Sequence, residues 1–164
     1  MANKDRPQGA APFGEPLRVT NYVAAAACYP GDFLAQESGG QVTPASAGAT
    51  GLIGVAASYQ STAAGEVLVW DHPDQRFVVQ SDSTNPDAQT DIGLNYDIVA
   101  TAANTTYKAS RHELDDNTGA TDSNLPLKLL GIERQVGDAL GANAKCVVKI
   151  NNHQLAGGTG TLGV

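Results

Sequence analysis

The sequence predicts one mainly β domain, a single β-barrel or β-sandwich with an extended N-terminal arm, and three observations carry that prediction. From Val19 onward, apolar runs of four to eight residues, rich in Val, Leu, Phe, Tyr or Trp, recur between Gly, Pro, Asp and Asn. That is the spacing of strands and turns. Eighteen Gly and eight Pro are spread through 164 residues and punctuate many short elements. No amphipathic segment of helical period exceeds ten residues, so helix is expected below about 15% of the chain.

The core has little to spare. Of 68 hydrophobic residues 25 are alanine, and Leu, Ile, Val and Phe together number 34. This is just above the roughly one fifth of a chain below which burial cannot offset chain entropy. No run of 18 apolar residues occurs, and the opening MANKDRPQGAAP carries charges and prolines where a signal peptide has its apolar run. The expectation is a soluble protein made and used without secretion.

Residues 1–17 contain three prolines and only Phe13 and Leu17 as large apolar groups, so they cannot pack by themselves. They predict an extended arm that orders on a partner, with Arg6, Pro7, Phe13, Leu17 and Arg18 as its contacts. The prolines stiffen it, and Lys4, Arg6 and Arg18, three of the ten cations, suit it to an acidic surface.

The β domain is expected over residues 18–155. Pro30-Gly31 predicts a type II turn after Tyr29, because Pro presets the first turn dihedral and Gly tolerates the positive one. Gly39-Gly40 predicts a hairpin between DFLAQ and QVTP. LIGVAAS, EVLVW and RFVVQ follow as strands. The continuous apolar centre of EVLVW reads as a strand buried on both faces, or one whose second face meets another subunit.

Residues 83–124 are polar and read as loops broken by one strand at residues 94–100. A short helix is expected over residues 85–89, with Asn85 as N-cap and Pro86 at the first position. LPLKLLGIERQV and KCVVKINNHQL are expected to pair as antiparallel neighbours, and residues 156–164, with four glycines in nine, predict a loosely held tail. The expected core draws on Phe33, Leu52, Ile53, Val55, Val67, Val69, Phe77, Val79, Leu94, Ile98, Leu129, Ile132, Val147 and Ile150.

The net charge is −7, and residues 71–122, with ten acids against three bases, carry all of it. This argues against binding a phosphate backbone and reads as a solvated acidic face. Asp71-His72-Pro73-Asp74 sets two carboxylates beside an imidazole, but between VLVW and RFVV it reads foremost as a turn. LDDNTG at residues 114–119 has the oxygen donors of a calcium loop without the spacing of an EF-hand. His72, His112 and His153 stand at no zinc-ligand spacing, and Cys28 and Cys146, in apolar surroundings, read as small buried hydrophobes. No nucleophile elbow and no phosphate-cradling glycine motif with its lysine is present. Trp70 and five tyrosines, Tyr22, Tyr29, Tyr59, Tyr96 and Tyr107, read as core and subunit contacts before a carbohydrate groove.

Taken together, YPGDF, GGQVTPA, LIGVAAS, AAGEVLVWDHPDQRFVVQSD, DIGLNYDIV and VVKINNHQL, over residues 17–155, resemble the capsid decoration (cement) proteins of tailed bacteriophages. Where that family shows two acids before the proline-aspartate pair, this chain has Asp71-His72. The resemblance implies a non-enzymatic structural protein of the virion, made in the bacterial host cytoplasm. It would bind the outer surface of the major capsid protein shell and stabilise the expanded head by bridging capsomers. It implies no cofactor and no metal, contact with neighbouring copies of itself as a homotrimer or a dimer, and neither nucleic acid nor membrane as partner. The alternatives are a carbohydrate- or receptor-binding module of the virion and a hydrolase with a metal at Asp71, His72 and Asp74.

Overall fold

The structure, a computed structural model, describes residues 3–83, 86–133, 135 and 138–164. Strands make up 43% of it and helix 4%. The described strands form two sheets in which every ladder is antiparallel. The six-stranded sheet runs in the order β1 (Ala11–Pro12), β7 (Arg76–Gln80), β11 (Lys145–Ile150), β10 (Leu127–Ile132), β8 (Asn95–Asn104) and β9 (Ala109–Ala120). The five-stranded sheet runs β2 (Val19–Val23), β6 (Glu66–Trp70), β5 (Gly54–Ala56), β3 (Phe33–Gln36) and β4 (Val42–Pro44). Single bridges, Ser81 to Leu114 and Ala24 to Val42, draw the edges of each sheet toward one another. Neither sheet closes into a barrel among the described residues. No described helix is long and apolar enough to cross a membrane.

Successive residues of a strand point to opposite faces, and β3 uses this to serve two cores. Phe33 joins Phe77, Tyr96, Ile98, Leu114, Leu129 and Val148 of the other sheet, whereas Leu34 joins Val42, Ile53, Val67 and Val69. The Phe33 and Phe77 rings meet edge to face, 6.5 Å between centroids. The expected core residues are buried except Leu94 and Ile132, which are half-buried and pack against the first core.

Turn chemistry is legible where the sequence placed it. The Asp32 amide closes a turn on the Tyr29 carbonyl at 2.9 Å, with Gly31 at φ 94°. Gly40, at φ 82°, turns β3 into β4. β10 and β11 pair as antiparallel neighbours, Leu127 opposite Ile150.

Four expectations are corrected. EVLVW is not buried on both faces: Val67 and Val69 are buried while Glu66 and Leu68 are exposed, so its second face is open. Most of the polar stretch expected to form loops is the long β8–β9 hairpin, which buries Ser110, His112, Glu113 and Asp116. Its inward polar side chains are satisfied by groups from other segments, the Phe33 amide, Gln80 and Ser83 among them, so no apolar alternation marks the strands. No helix forms at residues 86–88: Ala88 is extended, at φ −128° and ψ 156°, and the Asp87 and Ala88 amides donate to the Asp91 carboxylate at 3.0 Å. A single 3₁₀ turn, Gln89–Asp91, follows instead, and Asn85 lies outside the described residues. The C-terminal segment is pinned rather than loose: Thr161 bonds to Asn151, the Leu162 carbonyl accepts from Lys128 Nζ at 2.8 Å, and the Val164 amide reaches the Gly93 carbonyl.

Candidate functional site

Residues 3–18 do not stand away from the domain. β7 would otherwise present an open edge, a site that proteins normally cover, and β1 pairs with it, Ala11 opposite Val78. Side chains of β7 and the turn before it then capture the backbone on either side. Gln80 Oε1 accepts from the Arg6 amide and Gln75 Oε1 from the Leu17 amide, both at 2.8 Å. Ala10 is buried, its amide bonded to the Gly31 carbonyl at 2.9 Å. The expected free arm is therefore a strap fastened across the domain. Of its expected contacts, Phe13 is 43% and Leu17 57% exposed. Arg6 is exposed and Pro7 half-buried.

Arg18 is committed within the chain. Its Nε donates to Asp71 Oδ1 at 2.7 Å and its Nη2 to the Asp71 carbonyl at 3.0 Å, while the Tyr22 hydroxyl donates to Asp71 Oδ2 at 2.8 Å. Burial by itself would raise the Asp71 carboxyl, but hydrogen bonds from Arg18, Tyr22 and Thr20 outweigh it and leave the group below the ordinary range. The same contacts push the Tyr22 phenol up to about 12, burial first and then Asp71. Asp71 thus fastens β2 to β6, and no backbone amide among the described residues donates to its carboxylate, contrary to the turn expectation.

The rest of the Asp-His-Pro-Asp turn is also committed. The Asp74 amide donates to His72 Nδ1 at 3.0 Å, the Gln75 amide to the His72 carbonyl at 2.9 Å, and Lys149 Nζ to Asp74 Oδ1 at 2.8 Å. Convergent metal-capable oxygens lie elsewhere: carboxylate oxygens of Asp82, Asp115 and Asp116 all fall within 4.8 Å of one another. Burial raises the Asp82 carboxyl above the ordinary range, and the charges on Asp116 and Asp115 add to it. Protein donors already serve the group, with the Ser83 amide and hydroxyl on Asp116 and the Asp116 amide on Asp82 Oδ1 at 3.1 Å. Asp115 and Asp116 stand in the oxygen-rich segment noted in the sequence. Asp82 stands more than thirty positions before them, so no spacing in the sequence links the three.

Four of the ten acids read as a solvated face, Asp71, Asp97, Glu113 and Asp116, are buried. Glu113 is raised by burial and accepts from Gln80 Nε2 at 3.0 Å. Both cysteines are free and buried, and burial pushes Cys28 up to about 11 and Cys146 to about 12. Tyr22 packs on the second core and Tyr96 in the first. Tyr29 and Tyr59 form a pair at 5.1 Å, Lys108 Nζ lies 4.8 Å above the Tyr59 ring, and the adjacent Tyr107 is exposed.

The strap with Phe13 and Leu17 is thus the surface feature that unites the expected contacts. No protein-family model matches the chain, and no curated protein or solved structure is significantly similar to it.

Proposed function

We propose that the chain is a structural virion protein that binds the outer surface of a phage capsid and stabilises the expanded head by bridging capsomers. The observation that carries this reading is the fastened strap, which holds Phe13 and Leu17 exposed on a backbone bonded at both ends. Apolar side chains presented on ordered backbone lose little conformational freedom on docking, which favours association with a rigid shell. A protein that binds only the assembled shell stabilises that shell by mass action. The phrases from YPGDF to VVKINNHQL support the same reading.

The test uses point variants, since deleting the strap would expose the β7 edge. Phe13→Asp with Leu17→Asp is expected to keep the parent melting temperature and to bind expanded, undecorated capsids at least tenfold more weakly. Equal binding by parent and variant would refute the strap as the contact.

Tyr107, exposed at the β8–β9 tip next to Lys108 and its contact with Tyr59, favours a second reading, a carbohydrate-binding module of the virion. Glycan-array binding that is lost in Tyr107→Ala would support it over capsid bridging.

A further inference from the structure

A groove runs between the strap and the segment that leads into β11. Residues 3–12 line one side of it, residues 138–145 line the other, and β7 lines it at residues 78–80. Asn3 ties the two sides together, its Nδ2 donating to the Ala139 and Ala142 carbonyls at 3.0 and 2.8 Å. The Arg6 amide on Gln80 and the pairing of Ala11 with Val78 hold the strap to β7. The groove has a volume of about 700 Å³, which is the size of a ligand cleft.

The side chains that line it suit negative charge. Those of Lys4, Arg6, Gln8 and Asn143 have no hydrogen-bond or ion-pair partner among the described residues, and each carries N–H donors. The two carboxylates of the groove are engaged. Glu133 accepts from Gln135 Nε2 at 2.7 Å and lies 3.8 Å from Lys145 Nζ, and Asp138 Oδ2 accepts from the Gln135 amide at 3.4 Å. Asp5, between Lys4 and Arg6 in the chain, and Glu113 both accept from Gln80 Nε2, at 3.1 and 3.0 Å. The acids are thus held by the chain's own donors, whereas Lys4 and Arg6 are free to meet a partner. Arg18, the third cation of this segment, is neutralised by Asp71.

We infer that this groove docks an acidic, extended segment of a partner protein, whose carboxylates pair with Lys4, Arg6 and Lys145. Charge selects this occupant. Unspent cationic and amide donors are the groups that bind carboxylates through charge-assisted hydrogen bonds, and the volume exceeds what a single inorganic anion fills. The chain as a whole carries −7, all of it within residues 71–122. An acidic partner is therefore repelled by most of the molecule and drawn to this side of it. Ala11, Pro12 and Val78 give the segment apolar surface to lie on, and the fastened strap presents Lys4 and Arg6 on backbone that loses little freedom when the segment docks. The inference does not depend on capsid binding, since Phe13 and Leu17 do not line the groove.

The experiment measures the fluorescence anisotropy of labelled hexaglutamate and hexalysine peptides with the full chain at low ionic strength. The parent is expected to bind hexaglutamate and not hexalysine, and to release it as salt is added. Lys4→Gln with Arg6→Gln is expected to bind at least tenfold more weakly with the melting temperature unchanged, because both side chains are exposed and unpaired. Lys108→Glu makes the same change in net charge outside the groove and is expected to bind within twofold of the parent. In an NMR titration of the parent, the amides of Arg6, Gly9, Gln80 and Lys145 are expected to shift and that of Lys108 to stay. A parent that does not bind hexaglutamate, equal binding of hexalysine, an equal loss in Lys108→Glu, a groove variant that binds like the parent, or shifts centred away from the groove would each overturn the inference.

Discussion

The Phe33 amide donates to His112 Nδ1 at 3.1 Å, and this bond joins β3 of one sheet to β9 of the other. With Nδ1 accepting, the imidazole proton sits on Nε2, facing Asp32 Oδ1 at 3.7 Å. The ring stacks on Phe33, and its own amide donates to Ser110 Oγ at 3.1 Å. Protonating Nδ1 would orphan a buried amide and place a charge in the core.

That arrangement fixes a pH dependence. Burial lowers His112 below its ordinary value, opposed by Asp32, and burial lowers His153 to about 4. The unfolded chain takes up these protons near pH 6.5 while the folded chain resists them. The stability they contribute is complete above about pH 6.5 and is lost as pH falls toward the folded values. Thermal melts between pH 8 and pH 5 are expected to show a falling melting temperature. In His112→Gln, whose Oε1 can still accept from Phe33, the fall is expected to be shallower; an unchanged slope would mean that His112 does not carry it.

Asp71→Ala removes the acceptor of both Arg18 and Tyr22. Leaving the partly buried Tyr22 hydroxyl without its charge-assisted bond costs about 2 kcal/mol, or about 4–8 °C in a chain of this size. Calorimetry on Asp71→Ala and Asp71→Asn tests this, and the asparagine, which keeps an acceptor, is expected to lose less.

Asp82→Asn is expected to raise the melting temperature by about 1–2 °C at neutral pH without divalent cations, by relieving repulsion from Asp115 and Asp116. An asparagine oxygen can still accept from the Asp116 amide. A lower melting temperature than the parent would show that the carboxylate itself is required.

Phe77→Ala is expected to cost about 3–5 kcal/mol and to lower the melting temperature on the order of 10 °C, because the ring is fully buried against Phe33. A loss of only a degree or two would place Phe77 outside the essential core.

The sequence by itself determined the strand-and-turn character, the Gly31 and Gly40 turns, the β10–β11 pairing and most of the core. Each of these is written within a few residues, as an apolar run or a dihedral that only glycine adopts freely. Tertiary structure decided the rest, through partners distant in the chain. Residues 3–18 lack the apolar content to pack alone, so nothing local shows that Gln75, Gln80 and Asp71 fasten them down. The polar run from Ser110 to Asp116 lacks alternation because its inward side chains are satisfied by groups such as Phe33, Gln80 and Ser83, not by apolar neighbours. The open face of EVLVW was legible only as an alternative, since which face of a strand is covered depends on how far the opposing sheet extends.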